Sequence, residues 1–393
     1  MGYLKINQEM LTEEKARTLV GLCPFGAMSW EKDKLEISAA CKMCKLCVRN
    51  SGGAVEYVEK IASFDKFQWK GICVYADCLG GKLHRVTLEL CGKARELAKV
   101  TGHEVYALVI GHKTEETAQK LLRYGVDKVF VYDHEALKDF RIEPYTALFC
   151  DFIGQYRPSS VLVGATTLGR QLAPRVAARC RTGLTADCTV LQMKENTDLV
   201  QIRPAFGGNI MAQIVTPNTR PQFCTARYKV FTEPAETEPT GQIVKLPVDP
   251  TLLVTGVKIL HTEEKPKVED ISEAEVIVAV GRGASDDRSR ALAQELADLL
   301  GGVVACTRPL AEAGIYDARH QIGLSGRTVK PRLIITLGIS GAVQFASGMK
   351  GADCIVAVNT DPHAPIFDIA HYGIPGDAGQ ILPQLIRRIK EGL

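Results

Sequence analysis

At 393 residues the chain is too long for one modest core, and two or three domains are expected. A net charge of +3 with 24% charged residues makes no electrostatic case for nucleic acid, and no apolar run approaches the ~18 residues of a membrane span. Thirteen cysteines in no even framework, with no apolar signal segment ahead of them, argue for a reducing cytoplasm in which some are metal ligands and the rest buried thiols.

Residues 1–60 hold little apolar material, and so small a unit usually needs a staple. Cys41-Lys-Met-Cys44-Lys-Leu-Cys47, with Cys23-Pro24 upstream, supplies one. Thiolates spaced by two residues in a tight turn each reach a different corner of a cubane cluster, and a remote cysteine followed by proline completes the set. A zinc knuckle also uses four sulfurs, but usually as two CxxC pairs, so the spacing favours [4Fe–4S] over zinc. The unit resembles half of a bacterial two-cluster ferredoxin, in which the Cys-Pro of one motif serves the other motif's three cysteines. Residues 22–28 then correspond to the tail of a first motif that has lost its own three cysteines. Ser51 stands where the second motif's Cys-Pro cysteine would fall. One cluster is expected, held by Cys23, Cys41, Cys44 and Cys47.

Residues 62–70 carry aromatics without a clear period and read as a linker. Strand patterns over 71–77, 104–110, 127–132 and 160–164 then alternate with helical patterns over 83–100, 115–124, 144–156 and 170–180. Such alternation makes a parallel sheet covered on both faces. Residues 199–203, 209–215 and 225–230 read as added antiparallel strands, with Gly207-Gly208 turning between the first two. The Pro-, Glu- and Thr-rich stretch 232–246 reads as an exposed connection, and the charged, apolar-poor stretch 262–272 as a domain boundary and hinge. His84, His103, His112 and His134 lack a partner at a telling spacing and read as surface residues. Cys73, Cys78, Cys91, Cys150, Cys180 and Cys188 lack metal spacing and read as buried thiols. This middle domain reads as a scaffold or partner surface.

A second α/β unit starts near Ala274, where a strand over 275–280 runs into Gly281-Arg282-Gly283 and a helix over 288–300. The pattern invites a dinucleotide-binding reading. Yet the third glycine is absent, and the strand over 303–306 ends in Thr307-Arg308 rather than the acidic residue that holds an NAD ribose. An arginine there offers a fixed cation to a phosphate or an electron-rich ring. The loop over 320–327 holds two glycines, a hydroxyl and an amide. In 333–359, LIITLGISGAVQFASGMKGADCIVAVN, a strand turns at Gly338-Ile339-Ser340-Gly341 into a short helix and the chain returns in a second strand. That turn places N–H groups and a hydroxyl at a helix N-terminus, a ready phosphate site. An ordinary βαβ crossover with a packing glycine is the other reading of it. The closing helix is expected over 381–390, with basic residues suited to its C-terminal dipole.

Gly281-Arg282-Gly283, Thr307-Arg308, Gln321 to Gly326, Gly338 to Gln344 and Ile355 to Asn359 follow in an order that resembles the α subunit of an electron-transfer flavoprotein. The most specific part is LGISGAVQ…GM…IVAVN…DP.API, and the resemblance covers residues 71–393. The expected fold is α/β in three parts. A ferredoxin-like [4Fe–4S] module spans 1–66. A parallel α/β domain with added antiparallel strands, pairing with a β subunit, spans 67–265. A doubly wound FAD-binding domain spans 266–393. The resemblance implies that Arg282, Gln321 and Asn359 meet the phosphates, ribose or adenine end, that Gly338, Ser340 and Gly341 cradle the pyrophosphate, and that Asp377 holds the adenosine side. Arg308 lies against the isoalloxazine ring, where a fixed cation favours a reduced, anionic flavin. Ser325, at the family's threonine position, hydrogen-bonds near N5, and Thr307, Gly326 and Gln344 complete the cofactor-binding set. The family's Gln-His pair reads Gln344-Phe345 here. Phenylalanine carries neither proton nor charge, so the burden falls on Arg308 and the backbone.

A ferredoxin-like module ahead of such a subunit resembles the α subunits of anaerobic electron-bifurcating complexes. There NADH is oxidised at the β subunit's flavin, one electron goes to low-potential ferredoxin, and the other passes by the α subunit's FAD to a dehydrogenase partner. The implied partner is an acyl-CoA dehydrogenase-like enoyl-CoA reductase, caffeyl-CoA reductase among them, or else a flavin-type lactate dehydrogenase. The chain then carries electrons and does no bond chemistry of its own. The rivals are an independent NAD(P)-dependent oxidoreductase and an iron–sulfur adaptor that passes no electrons.

Overall fold

The computed structural model describes residues 3–38, 40–58, 65–205, 208, 210–263 and 270–392. Residues 62–64 of the expected linker, Gly207 of the expected turn, and residues 264–269 at the expected boundary lie outside them. Two units separate, Met1–Asp65 and Lys66–Leu393.

In the first unit the strand Tyr3–Ile6 leads to the helix Glu13–Leu22, the strands Met28–Glu31 and Lys34–Ile37, the helix Leu46–Asn50 and the strand Val55–Val58. The outer strands pair antiparallel and the inner two form a hairpin. Thr12 caps the first helix by accepting from the Lys15 N–H at 3.3 Å. Lys32 and Asp33 both take the positive φ that a two-residue hairpin turn requires. Ala16, Leu19, Met28, Leu35 and Val55 form the buried core, with Cys23 and Cys47 packed against it.

Seven parallel strands dominate the second unit, in the spatial order Leu184–Cys188, Gln222–Ala226, Ser160–Gly164, Ile72–Tyr75, Val105–Gly111, Lys128–Asp133, Gln242–Lys245. Separate apolar cores cover its two faces. Three antiparallel strands, Val190–Met193, Leu199–Ala205 and Ile210–Ile214, are added to it. Two expectations need correction. The strand placed over 225–230 is Gln222–Ala226, and it runs parallel inside the main sheet, buried along its whole length, which erases the in–out alternation of an added antiparallel strand. The stretch 232–246 is no simple connection: Gln242–Lys245 pairs with Lys128–Asp133, and Gly241 permits the approach because a Cβ there would meet the Val126 carbonyl oxygen at 2.4 Å. From Lys66 onward the expected linker is fastened down, Lys66 bonding Asp198 at 3.0 Å. Cys73, Cys91 and Cys188 are buried, whereas Cys78, Cys150 and Cys180 are half-buried. No helix among the described residues is long and apolar enough to cross a membrane.

Glu89 is buried in the helix Val86–Thr101, where it accepts the Lys229 N–H at 3.1 Å while its second oxygen has no partner. Burial pushes its carboxyl up from 4.5 to about 7. A raised carboxyl value means the folded chain holds its proton to higher pH than the unfolded chain does. Stability from this group is therefore full below the unfolded value and falls as pH rises through about 7. Glu89→Gln is expected to raise stability at pH 8 by on the order of 3 kcal/mol, and hardly at pH 4.5, in paired urea denaturations.

A second parallel sheet has five strands, in the order Val303–Cys306, Val276–Val280, Leu333–Leu337, Cys354–Asn359, Tyr372–Pro375, with apolar cores on both faces. The helices Asp287–Leu299 and Ala378–Lys390 pack together on one face.

Candidate functional site

The chain leaves the adjacent strands Val276–Val280 and Leu333–Leu337 toward opposite sides, which opens a crevice at their carboxyl ends, where open α/β sheets bind ligands. A cavity of about 740 Å³ fills that crevice. Its size is at the upper end of small-molecule sites. Arg282, Thr307, Arg308, Gln321, Ser325, Gly338, Ser340, Gln344 and Asn359 all line it. Close packing of two turns forms its floor. A Cβ on Gly281 would sit 2.4 Å from the Gly338 carbonyl oxygen, and Gly338, at φ 59, would meet Gly283 as closely. Only glycine allows that approach.

The polar groups of the wall are held in place. Gln321 Nε2 donates to Ser325 Oγ at 2.8 Å, and Asn359 Nδ2 donates to the Ile339 carbonyl at 2.8 Å. Thr307 Oγ1 is buried without a protein partner. Arg282 and Arg308 supply two positive charges against the single carboxylate of Asp361. The Arg308 Nε bonds Glu312 at 2.7 Å along its own helix, and both side chains are largely exposed. A wall of bare backbone, an orphaned hydroxyl and two guanidinium groups fits a long ligand with a diphosphate and an electron-rich ring.

Three expected residues stand elsewhere. Asp377 caps the helix Ala378–Lys390, accepting from the Gln380 N–H at 3.2 Å. Gly326 and Gly341 lie behind the wall, where a Cβ on either would fall 2.2 Å from backbone atoms of Gln321 and Ile366. The helix after Gly341 is a single turn, Val343–Ala346, so anion attraction rests on the arginines and the turn rather than on a helix dipole. Phe345 is buried among Ile322, Ile339, Met349 and Ile366 while also reaching the cavity. Leu324, Asp361, Ala364 and Pro365 also line the wall. For the last three, the DPHAP run was the available signal. The dinucleotide alternative weakens further, because Asp286 caps the helix Asp287–Leu299 and Asp287 occupies its first turn. A carboxylate cap and an acidic first turn disfavour a bound pyrophosphate at that N-terminus.

In the first unit Cys23, Cys41, Cys44 and Cys47 line one small cavity with Pro24 and Phe25. The Ala27 N–H points at Cys23 Sγ and the Met43 N–H at Cys41 Sγ, each at 3.4 Å. Met43 and Lys45 hold positive φ, the strain that turns the three-cysteine loop back on itself. Burial, reinforced by the neighbouring Cys41 and Cys44, pushes the Cys47 thiol up. Ser51 is buried and accepts the Val55 N–H at 2.9 Å. Among the described residues no three His, Cys, Asp or Glu side chains converge as a single-ion site would need.

The second sheet and its crevice define a nucleotide-cofactor domain joined to a larger α/β domain. Residues 72–251 match the electron transfer flavoprotein domain, and residues 270–350 match the electron transfer flavoprotein FAD-binding domain. The chain belongs to the electron-transfer flavoprotein α-subunit family. It is 58% identical to subunit LctC of the lactate dehydrogenase (NAD(+),ferredoxin) of Acetobacterium woodii, over 99% of this chain and 94% of that one. It is 43% identical to the electron transfer flavoprotein subunit alpha of Megasphaera elsdenii, over 83% and 98%. It is 39% identical to the acryloyl-CoA reductase electron transfer subunit beta of Anaerotignum propionicum, over 84% and 98%.

Proposed function

We propose that this chain is the electron-carrying α subunit of an electron-bifurcating complex that links NADH and ferredoxin to a flavin-type lactate dehydrogenase. One observation carries the choice of partner: the likeness to LctC spans 99% of the chain, first unit included. The matches to the Megasphaera and Anaerotignum proteins cover 83% and 84%, about the share of the second unit. The Anaerotignum name supports an acyl-CoA dehydrogenase-like enoyl-CoA reductase as the second reading, with caffeyl-CoA reductase as one such partner. Purifying the complex from its host and identifying the third protein separates the two: a lactate dehydrogenase supports the first, an acyl-CoA dehydrogenase homologue the second.

FAD, bound in the large cavity, supplies one-electron transfer. Arg282 offsets its phosphate charge, the Gly281–Gly338 floor lets backbone approach it, and Thr307 offers an unused hydroxyl. Because Ser325 Oγ already accepts from Gln321, its own O–H is free to donate toward a ring nitrogen. Arg308 serves the ring once it leaves Glu312. Phe345 closes the wall with a neutral surface that excludes water. Domain limits of 1–66, 67–265 and 266–393 follow from this reading. The exposed apolar side chains of Ile210, Met211 and Ile214 support the 67–265 domain as the face for a β subunit. The setting is cytoplasmic.

The order strand–helix–strand–strand–helix–strand supports a ferredoxin-like module, and the four cysteines around its small cavity would hold one [4Fe–4S] cluster, which supplies a low-potential relay. The hydrogen-bonded Ser51 supports a single cluster. Lys42, Lys45 and Arg49 surround the loop, and no carboxylate lies between Glu36 and Glu56. Reversing all three to glutamate is expected to raise the KM for an acidic ferredoxin by about tenfold or more at low salt, with iron and FAD content unchanged. Steady-state ferredoxin titrations at two ionic strengths check this.

A further inference from the structure

The loop over 321–327 forms one side of the large cavity, and its own domain does not fix it alone. The Leu324 carbonyl accepts from Arg227 Nη2 at 2.8 Å. Arg227 follows the strand Gln222–Ala226 of the other sheet, and Asp187 holds its guanidinium at 3.3 Å. Arg170 grips Asp187 in turn, through bonds of 3.0 to 3.2 Å. The strand Leu184–Cys188 bulges between Thr185 and Cys188, and Asp187 takes a φ of 57 there. A bulge of this kind re-aims a side chain, and backbone strain persists where the surroundings over-determine it.

Arg227 is only 12% exposed, and its Nε is buried without a partner. Plain packing between two domains does not call for a buried guanidinium, whose desolvation is costly. Leu324 and Ser325 line the large cavity and also a neighbouring one of about 330 Å³, which Arg203, Arg227 and Asp187 border. The guanidinium thus reaches the cofactor wall from behind.

We propose that Arg227 is a positioning residue for the cofactor site: by holding the Leu324 carbonyl it fixes the 321–327 loop, and through that loop the aim of the Ser325 hydroxyl and the grip on FAD. The inference rests on the reading of the large cavity as the FAD site. Its consequence is that a side chain of one domain sets the cofactor's surroundings in the other.

The test uses the heterodimer with its β subunit. Arg227→Gln is expected to raise the FAD dissociation constant about tenfold and to shift the flavin's visible absorption and midpoint potential, with subunit assembly and iron content unchanged. Arg227→Lys recovers part of the loss, because the single nitrogen Nη2 meets both Asp187 and Leu324 and an ammonium offers donors for both from a shorter side chain. Asp187→Asn moves the same readouts in the same direction, which covers the case of an Arg227→Gln chain that fails to assemble. In a Ser325→Ala background the effect of Arg227→Gln on the potential shrinks by half or more, since both act through one loop. A wild-type dissociation constant and potential in Arg227→Gln overturn the proposal, as does an equal shift in both backgrounds. A wild-type heterodimer that binds only the β subunit's flavin overturns the underlying reading of the cavity.

Discussion

Replacing Arg308 with alanine is expected to lower the midpoint potential of the bound FAD by about 50–150 mV, with FAD still retained. A unit charge near 4 Å from the ring is worth about 1 kcal/mol in water and about 4 kcal/mol at the effective dielectric of a protein surface. For one electron, 1.4 kcal/mol corresponds to about 59 mV. The range follows because Arg308 lies at an open wall, between those limits. Phe345, buried at the position where the family's histidine is expected, offers no second cation. The ion pair with Glu312 gives the prediction a sign-reversed partner. Glu312→Gln frees the guanidinium and removes a negative charge, so it is expected to raise the potential. Dye-coupled redox titration of the three proteins reads both shifts. A change below about 20 mV in Arg308→Ala would leave Arg308 with Glu312 and away from the ring.

Cys44→Ser is expected to abolish bound iron and labile sulfide and to unfold the first unit, while FAD content and the second unit stay as they were. Among the described residues the core cluster of that unit is five buried side chains, too few to hold it together unaided. Cluster binding is then folding free energy, as it is for small metal domains. Iron analysis together with hydrogen exchange over residues 3–58 reads the result. Wild-type iron in Cys44→Ser would remove Cys44 from the ligand set. A first unit equally protected without iron would show that its core suffices.

The strands Ser160–Gly164, Val303–Cys306 and Leu333–Leu337 were legible to the residue, because short apolar runs bounded by glycine or a charge carry their own limits. What stayed hidden was pairing. Gln222–Ala226 lies between two strands that precede it in the chain, and Gln242–Lys245 returns to an edge more than 100 residues back. Neither direction nor neighbour is encoded locally. The lining of the large cavity was legible where turn chemistry is local, as in Gly281-Arg282-Gly283 and Gly338 to Ser340. Asp377 stands outside the cavity lining, where it caps the helix Ala378–Lys390. The short helix expected after Gly341 is one turn, Val343–Ala346, and Gly348 just beyond it packs on the Gly323 backbone. Arg227 gave no signal at all, since its partner lies 97 residues further on.

On the proposed function, electrons pass through this chain between a lactate-type dehydrogenase, NAD and ferredoxin. Lactate-dependent reduction of NAD⁺ by the purified complex, with and without reduced ferredoxin, tests it most directly. NADH formation is expected only when lactate and reduced ferredoxin are both present, and none by this chain alone. NADH formation from lactate without ferredoxin, or NADH oxidation by the isolated chain, would contradict it.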